Sequence, residues 1–408
     1  MFLVSPFQSN AEPTMQRPNG TLAPLLGLAL IAAAAPTHAA ECGGDFGTWK
    51  SAVTDEARAA GVGDKGLSAL ATAQVDPKVI ERDRKKSVFT LDFISFSKRL
   101  ISQNRLDTGN AKMAEQSAAM AQMQSRFGVD PAVIAAFWGL ETDFGGYQGD
   151  FVTLNALATL AHDCRRPELF RPQLLALLEL IDRGIVPATV TGAWAGEIGQ
   201  VQVLPADYLR LGLDGDGDGK VDMKASAPDA ILTAGNFLHA LGWKANQPWM
   251  EEAVVPADMD WSLAVRTNKR SLAEWAALGV APKRASAAGP DTPAALAIPV
   301  GRNGPAFLTY ENFDIFLQWN QSMTYILTAS YFATKLAGAP PFDPRNPDPG
   351  LDGEQMKQLQ TKLRALGYDV GEIDGILGEG TRNAVRDMQG KLGMPADAWP
   401  TPELLGRI

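Results

Sequence analysis

The chain predicts a mainly α (α+β) protein: a large helical body with a small β-containing insertion, then a separate small helical unit. Three observations carry this. Apolar residues recur at spacings of three and four from Phe46 to about Gly242, as in helices buried along one side. Over residues 250–310 the apolar runs shorten and are broken by Pro and Gly, which favours short strands and turns. Helical spacing returns over 313–336, and Gly338-Ala-Pro-Pro-Phe-Asp-Pro-Arg-Asn-Pro-Asp-Pro-Gly350 then marks a boundary. Such a linker is stiff, so residues 351–408 are expected to move independently of the rest.

At 408 residues the chain has room for two or three domains. Its net charge of −9 argues against a polyanionic partner such as nucleic acid. Residues 21–35 form an almost unbroken apolar run, preceded by Arg17 and followed by small residues ending in Ala39-Ala40. That pattern reads as a secretory signal peptide over 1–39, with Met15 as an alternative start. The run is short for a bilayer and nothing later is longer, so no transmembrane segment is expected. Glu41 before Cys42 does not suit a lipoprotein signal. The expectation is a soluble protein exported to the periplasm. There Cys42 and Cys164, the only cysteines, are expected to pair, with two free thiols as the alternative. Only His162 and His239 survive removal of the signal, too few for the usual zinc sites or for a choice of triad bases.

Helices are expected over 48–60, 91–104 and 111–127, then from Asp130-Pro131, which suit an N-cap and the first helical position. Counting back from Glu141 at helical spacing gives Trp138, Phe137 and Ile134, so this acid shares the apolar stripe. Desolvation there would raise its pKa and make it a proton donor at neutral pH. The alternative is a glutamate at a frayed helix end, pointing into water. Further helices are expected over 154–162 and 171–183.

Ala193-Trp194-Ala-Gly-Glu197-Ile-Gly-Gln200-Val-Gln202 reads as a glycine-rich turn that lets backbone and amides approach a ligand, or as a plain connector. Asp214-Gly-Asp216-Gly-Asp218-Gly-Lys220-Val-Asp222 fits the first nine positions of a calcium loop. Position twelve is Ala225 rather than glutamate, and Asp229 is the nearest substitute. A solvated Asp-Gly turn is the alternative. Residues 295–299 and 306–310 suggest a hairpin around Gly301-Arg-Asn-Gly304. Residues 314–325 place Trp319, Asn320, Ser322 and Tyr325 on one expected helix, where aromatic faces beside amides suit sugar rings but equally suit a core.

Taken together, Phe137-Trp-Gly-Leu-Glu141-Thr-Asp-Phe-Gly145, the turn at 193–202, the Asp214 loop with Pro228-Asp229-Ala230, Gly304-Pro-Ala-Phe-Leu-Thr-Tyr310 and Trp319-Asn-Gln-Ser-Met-Thr-Tyr325 resemble the B-type lytic murein transglycosylases of glycoside hydrolase family 103. The resemblance covers residues 42–340. It implies a lysozyme-like catalytic domain over 40–337 acting on peptidoglycan glycan strands, with Glu141 as catalytic acid and Gln202, Trp194, Trp319, Asn320, Ser322 and Tyr325 at the substrate. It also implies structural Ca2+ at the Asp214 loop (Asp214, Asp216, Asp218, Lys220, Asp222, Asp229), with no cofactor needed for the chemistry. Which proteins of the cell-wall machinery are partners stays open. Ala193, Glu197, Val203, Met323 and Lys86 depart from the usual residues of that family.

The tail, with Leu359-Gln-Thr-Lys-Leu363-Arg-Ala-Leu366-Gly-Tyr368 and Ile373-Asp374-Gly375, resembles the three-helix peptidoglycan-binding domain. Apolar positions 356, 359, 363 and 366 fit one buried helix face. The implied reaction is non-hydrolytic cleavage between N-acetylmuramic acid and N-acetylglucosamine, leaving 1,6-anhydromuramyl ends. Two alternatives stand beside it: a hydrolytic muramidase using Glu197 or Asp143 as second carboxylate, and a wall-binding adaptor without activity.

Overall fold

A computed structural model describes residues 41–85 and 91–408. The signal-peptide reading of 1–39 and the departure at Lys86 lie outside the described residues. The helical body is built around Pro131–Thr142, which is buried along nearly its whole length. Its start is as the sequence dictates: the Asp130 carboxylate accepts from the amide of Ala132 at 2.8 Å, and Pro131 follows at the first position. Met323–Leu336, Gln103–Glu115 and Ser117–Phe127 pack around it. Gly139 permits the approach of Met323–Leu336, since a Cβ there would lie 3.0 Å from the Phe332 ring, and it also leaves room for the Phe144 ring, 2.7 Å from the same point.

Three of the expected helices are each interrupted by a cap. Residues 91–104 give Phe93–Leu100 and the start of Gln103–Glu115, with Ser102 accepting from the amide of Arg105. The stretch 111–127 breaks at Gln116. The third break matters most: 313–336 divides into Glu311–Trp319 and Met323–Leu336, so residues 314–325 do not lie on one helix. The Asn320 Oδ1 accepts from the Ser322 amide at 2.9 Å, and Ser322 caps the second helix by accepting from the Tyr325 amide. Side chains that satisfy freed amides make such a break inexpensive.

Cys42 and Cys164 form a disulfide with Cα atoms 5.2 Å apart, as expected of the pair. It pins the start of the described chain to the end of Thr153–His162, where Phe46 and Trp49 pack on His162. The insertion is an antiparallel five-stranded sheet in the order Arg270–Ser271, Pro293–Ala297, Phe307–Thr309, Met250–Val254, Ala281–Pro282. The expected hairpin is its centre, in the register Leu296 to Leu308. Trp275 fills a separate small core behind it and donates to the Ala294 carbonyl at 2.8 Å.

The tail folds as three helices, Gly353–Ala365, Glu379–Lys391 and Pro402–Arg407, over Met356, Leu359, Leu363 and Val385. Leu366, expected on this face, is instead 58% exposed, because the helix ends at Ala365 and the chain turns away. The linker also differs from expectation. It is strapped to the body: Phe342 stacks on Phe93 with centroids 5.4 Å apart and meets Tyr331 and Phe307 edge-on. The amide of Asn346 donates to the Asn303 carbonyl, and Asn303 to Asp348. Trp399 of the tail, 8% exposed, packs on Gly301 and Gly350 and donates to the Asp348 carbonyl. Arg382 and Arg386 add bonds to the carbonyls of Pro299 and Ala264. The tail is therefore clamped to the sheet unit rather than free to move. Proline content reports the stiffness of a backbone and is silent about what the intervening Phe and Asn side chains dock against.

Candidate functional site

Glu141 is the penultimate residue of its helix, which ends on Asp143 in the left-handed conformation at φ 53°. The broken segment at 320–322 delivers two donors to it from opposite sides of the break. Tyr325 Oη donates to Glu141 Oε1 at 2.6 Å, and Trp319 Nε1 donates to the same oxygen at 3.1 Å. Trp319 is itself fixed by stacking on Phe137, centroids 4.3 Å apart, and by the edge of Phe237. Both donors land on Oε1, which leaves Oε2 without a protein hydrogen bond among the described residues. The two expected aromatics are thus direct partners of the acid.

Hydrogen bonds to the carboxylate favour ionisation, whereas burial opposes it. Burial wins: desolvation pushes Glu141 up to about 8 against the two donors, with a smaller push from the nearby Glu197. Tyr325 is raised well above its ordinary value by burial and by Glu141, so it stays a donor throughout the neutral range. Asp143 is exposed and ion-paired with Arg105 at 3.1 Å.

The glycine-rich turn lies against the end of the same helix. Thr142 Oγ1 donates to the Gln200 carbonyl at 2.6 Å, and Gly192 lets the Glu197 carbonyl approach where a Cβ would lie 2.0 Å away. Gln202 is buried and donates to the Gly199 and Gln148 carbonyls. Asn320 is buried too, while Trp194 and Ser322 keep partial exposure. The structure therefore joins Glu141, Trp319 and Tyr325 directly. It gives Asn320 and Ser322 capping contacts and sets Gln202 and Trp194 on the adjoining turn. The Ser322 cap, three residues before Tyr325, was the one sequence signal that could have located the break.

In the Asp214 loop, oxygens of Asp214, Asp216 and Asp229 come within 4.8 Å of one another. Asp229, the substitute for the missing glutamate, is fully buried and holds the loop through the amides of Gly215 and Asp222. Three converging carboxylates suit a hard cation such as calcium. Asp218 and Asp222 are not in this group: Asp218 accepts from the Lys220 amide and Asp222 from those of Lys224 and Ala225.

Residues 45–334 match the transglycosylase SLT domain family, and residues 352–408 match a peptidoglycan binding domain. The chain belongs to the transglycosylase SLT family. A crystal structure of SltB3 from Pseudomonas aeruginosa, in complex with NAG-anhNAM-pentapeptide, is 37% identical with a TM-score of 0.81, covering 90% of this chain and 99% of that one. Membrane-bound lytic murein transglycosylase B of Escherichia coli is 29% identical over 153 residues, which are 37% of this chain and 42% of that relative. The chain thus spans well under two thirds of that relative's length. The Escherichia coli lytic transglycosylase SLT35 in complex with calcium is 24% identical with a TM-score of 0.61, covering 74% of this chain and 98% of that one, and shares the fold. Glu141, Trp319 and Tyr325 all fall within the SLT domain. Among the described residues no helix is long and apolar enough to cross a membrane.

Proposed function

We propose that this SLT-family chain is an exported lytic transglycosylase. In this reading it cleaves the β-1,4 bond between N-acetylmuramic acid and N-acetylglucosamine in peptidoglycan without consuming water. The observation that carries the reading is a single carboxyl, raised to about 8 and held through one oxygen by Tyr325 and Trp319. The free Oε2 carries the proton and gives it to the glycosidic oxygen. The muramyl cation is stabilised by its own acetamido group. Glu141, now a carboxylate steadied by the two donors, takes the proton from the C6 hydroxyl, whose oxygen closes on C1 to give a 1,6-anhydromuramyl end. One residue serves as acid and then base, so a second carboxylate is not required, unlike ordinary glycosidases.

Gln202, Asn320, Ser322 and Trp194 are assigned to the saccharide on the grounds of the motifs they share with the family. A muramidase needs a second carboxylate beside the bond with room for water. Glu197 is sealed from solvent and Asp143 is paired with Arg105, which favours the non-hydrolytic course. Mass analysis of digested sacculi is the test: anhydromuramyl ends are expected, whereas reducing ends would replace this reading with the muramidase and no cleavage with the adaptor.

The Cys42–Cys164 bond fits an oxidising compartment, and we place the mature chain in the periplasm with residues 1–39 removed. Residues 40–337 form the catalytic unit, 338–350 the linker and 351–408 the wall-binding unit. Calcium at Asp214, Asp216 and Asp229 would have a structural part, with a Kd of about 10⁻⁴ to 10⁻³ M as in extracellular modules. About 10 mM calcium should then stabilise the native state by about 1.4 to 2.7 kcal/mol, read as a rise of a few degrees in Tm. Chelation should leave turnover intact; loss of turnover in a protein that stays folded would contradict the structural assignment.

A further inference from the structure

The tail meets the body through one side of Glu379–Lys391. Arg382 and Arg386, one helical turn apart, donate to the carbonyls of Pro299 and Ala264, and Glu379 pairs with Arg266 at 3.5 Å. That side is taken up by the joint. Each residue of a helix is turned about 100° from the last, so Asp387, one position beyond Arg386, and Lys391, a turn further on, lie on a neighbouring flank. Both of their side chains are more than half exposed.

The flank carries an ordered group. Lys391 Nζ donates to Tyr368 Oη at 2.7 Å and pairs with Asp387 at 2.8 Å, while Tyr368 Oη donates to Asp387. The ammonium stands 5.0 Å from the centre of the Tyr368 ring. Tyr368 leans on the tail's core yet keeps partial exposure. Its amide donates to the Leu363 carbonyl at 3.1 Å across Gly367, which is left-handed at φ 90°, so the turn at 366–368 is pinned to the end of Gly353–Ala365. On that turn Leu366 is, among the described residues, the large apolar side chain most open to solvent. A lone exposed leucine means little, and an exposed ion pair adds little to stability. Here the two stand beside an aromatic ring whose hydroxyl both charges hold in place.

We propose that Leu366, Tyr368, Asp387 and Lys391 form the surface by which the tail binds a glycan strand of peptidoglycan. The proposal rests on the reading of residues 351–408 as the wall-binding unit and names the face that binds. The chemistry favours sugar over peptide. An apolar side chain and an aromatic ring suit the C–H faces of pyranose rings, and the ammonium and carboxylate beside them offer a donor and an acceptor to hydroxyl and acetamido groups. Lys391 and Asp387 neutralise each other, as do Arg364 and Asp369 on either side of the turn. The surface therefore has no net charge with which to draw in the carboxylates of a stem peptide.

The test uses the full-length protein carrying Glu141→Gln, so that strands persist, with ¹³C-labelled leucine methyls. Titration with peptide-free glycan strands should shift the Leu366 methyl signals. In sedimentation with sacculi, adding Leu366→Ser or Lys391→Ala should each weaken binding about three- to tenfold, the scale of one partly buried contact. The same two substitutions in the active enzyme should leave cleavage of soluble glycan fragments unchanged, because both side chains are exposed and lie off the joint. If Leu366 stays silent while Leu377 or Leu405 of the tail shifts, another face binds, and the proposal falls with the wall-binding reading intact. Sacculus binding unchanged in both variants overturns it as well. So do shifts produced by free stem peptide and not by the strands. If the strands move signals of the body alone, the wall-binding reading of the tail fails and takes the proposal with it.

Discussion

Glu141→Gln is expected to lower sacculus cleavage by about two to four orders of magnitude, the usual loss when a general acid is removed, with folding and glycan binding nearly unchanged. The amide keeps the shape, and its oxygen still accepts from Tyr325 and Trp319. What disappears is the transferable proton on the other arm. The sign of the pH effect follows from the same group. Its pKa is raised from 4.5 to about 8 in the fold, so the acid form is populated below about 8 and cleavage should fall as pH rises through that value. Stability moves in the same direction: the folded state holds a proton that the unfolded state releases above 4.5, so the wild type loses stability between about 4.5 and 8, and the glutamine variant loses less, lacking the Glu141 part while the buried Glu197 keeps its own. More than about a tenth of wild-type cleavage in a turbidity assay would remove Glu141 from the role, since general acids contribute at least about a hundredfold.

Trp399→Ala is expected to have the largest effect away from the acid. The indole fills the joint between tail and body, wedged against Gly301 and Gly350 and tied to the Asp348 carbonyl. Emptying such a site typically costs about 3–5 kcal/mol. Since the tail has its own core around Leu359 and Val385, the loss should fall on the joint rather than on either unit. Calorimetry should then resolve two melting transitions where the wild type gives one cooperative transition. A single transition in the variant, merely shifted, would mean that Arg382, Arg386 and the strapped linker hold the joint without the indole.

The helical body and the hairpin at 295–310 were legible because each rests on local periodicity and turn chemistry, which for the tail reach only as far as a small helical unit, its three helices coming from the family resemblance. Glu141 was legible for the same reason, as a carboxylate counted onto an apolar stripe. The pairing of Trp319 and Tyr325 on Oε1 was not, because it depends on a break at Asn320–Ser322 that side-chain caps stabilise against a continuous apolar pattern. The outer strands Arg270–Ser271 and Ala281–Pro282 are too short to leave a period. The clamped linker was missed because docking is a property of two distant surfaces, Phe342 with Phe93 and Trp399 with Gly301, which no window of sequence contains.

The bond between Cys42 and Cys164 encloses 122 residues of sequence separation, and Glu141 lies inside that loop. Closing a loop of this length restricts the denatured chain by about 5 kcal/mol in the chain-entropy picture. A reducing environment withholds that restriction. The stability of the segment that presents the acid is thereby written partly in electrons: the same sequence is a weaker fold where thiols are kept reduced, and gains its full margin only where they are oxidised.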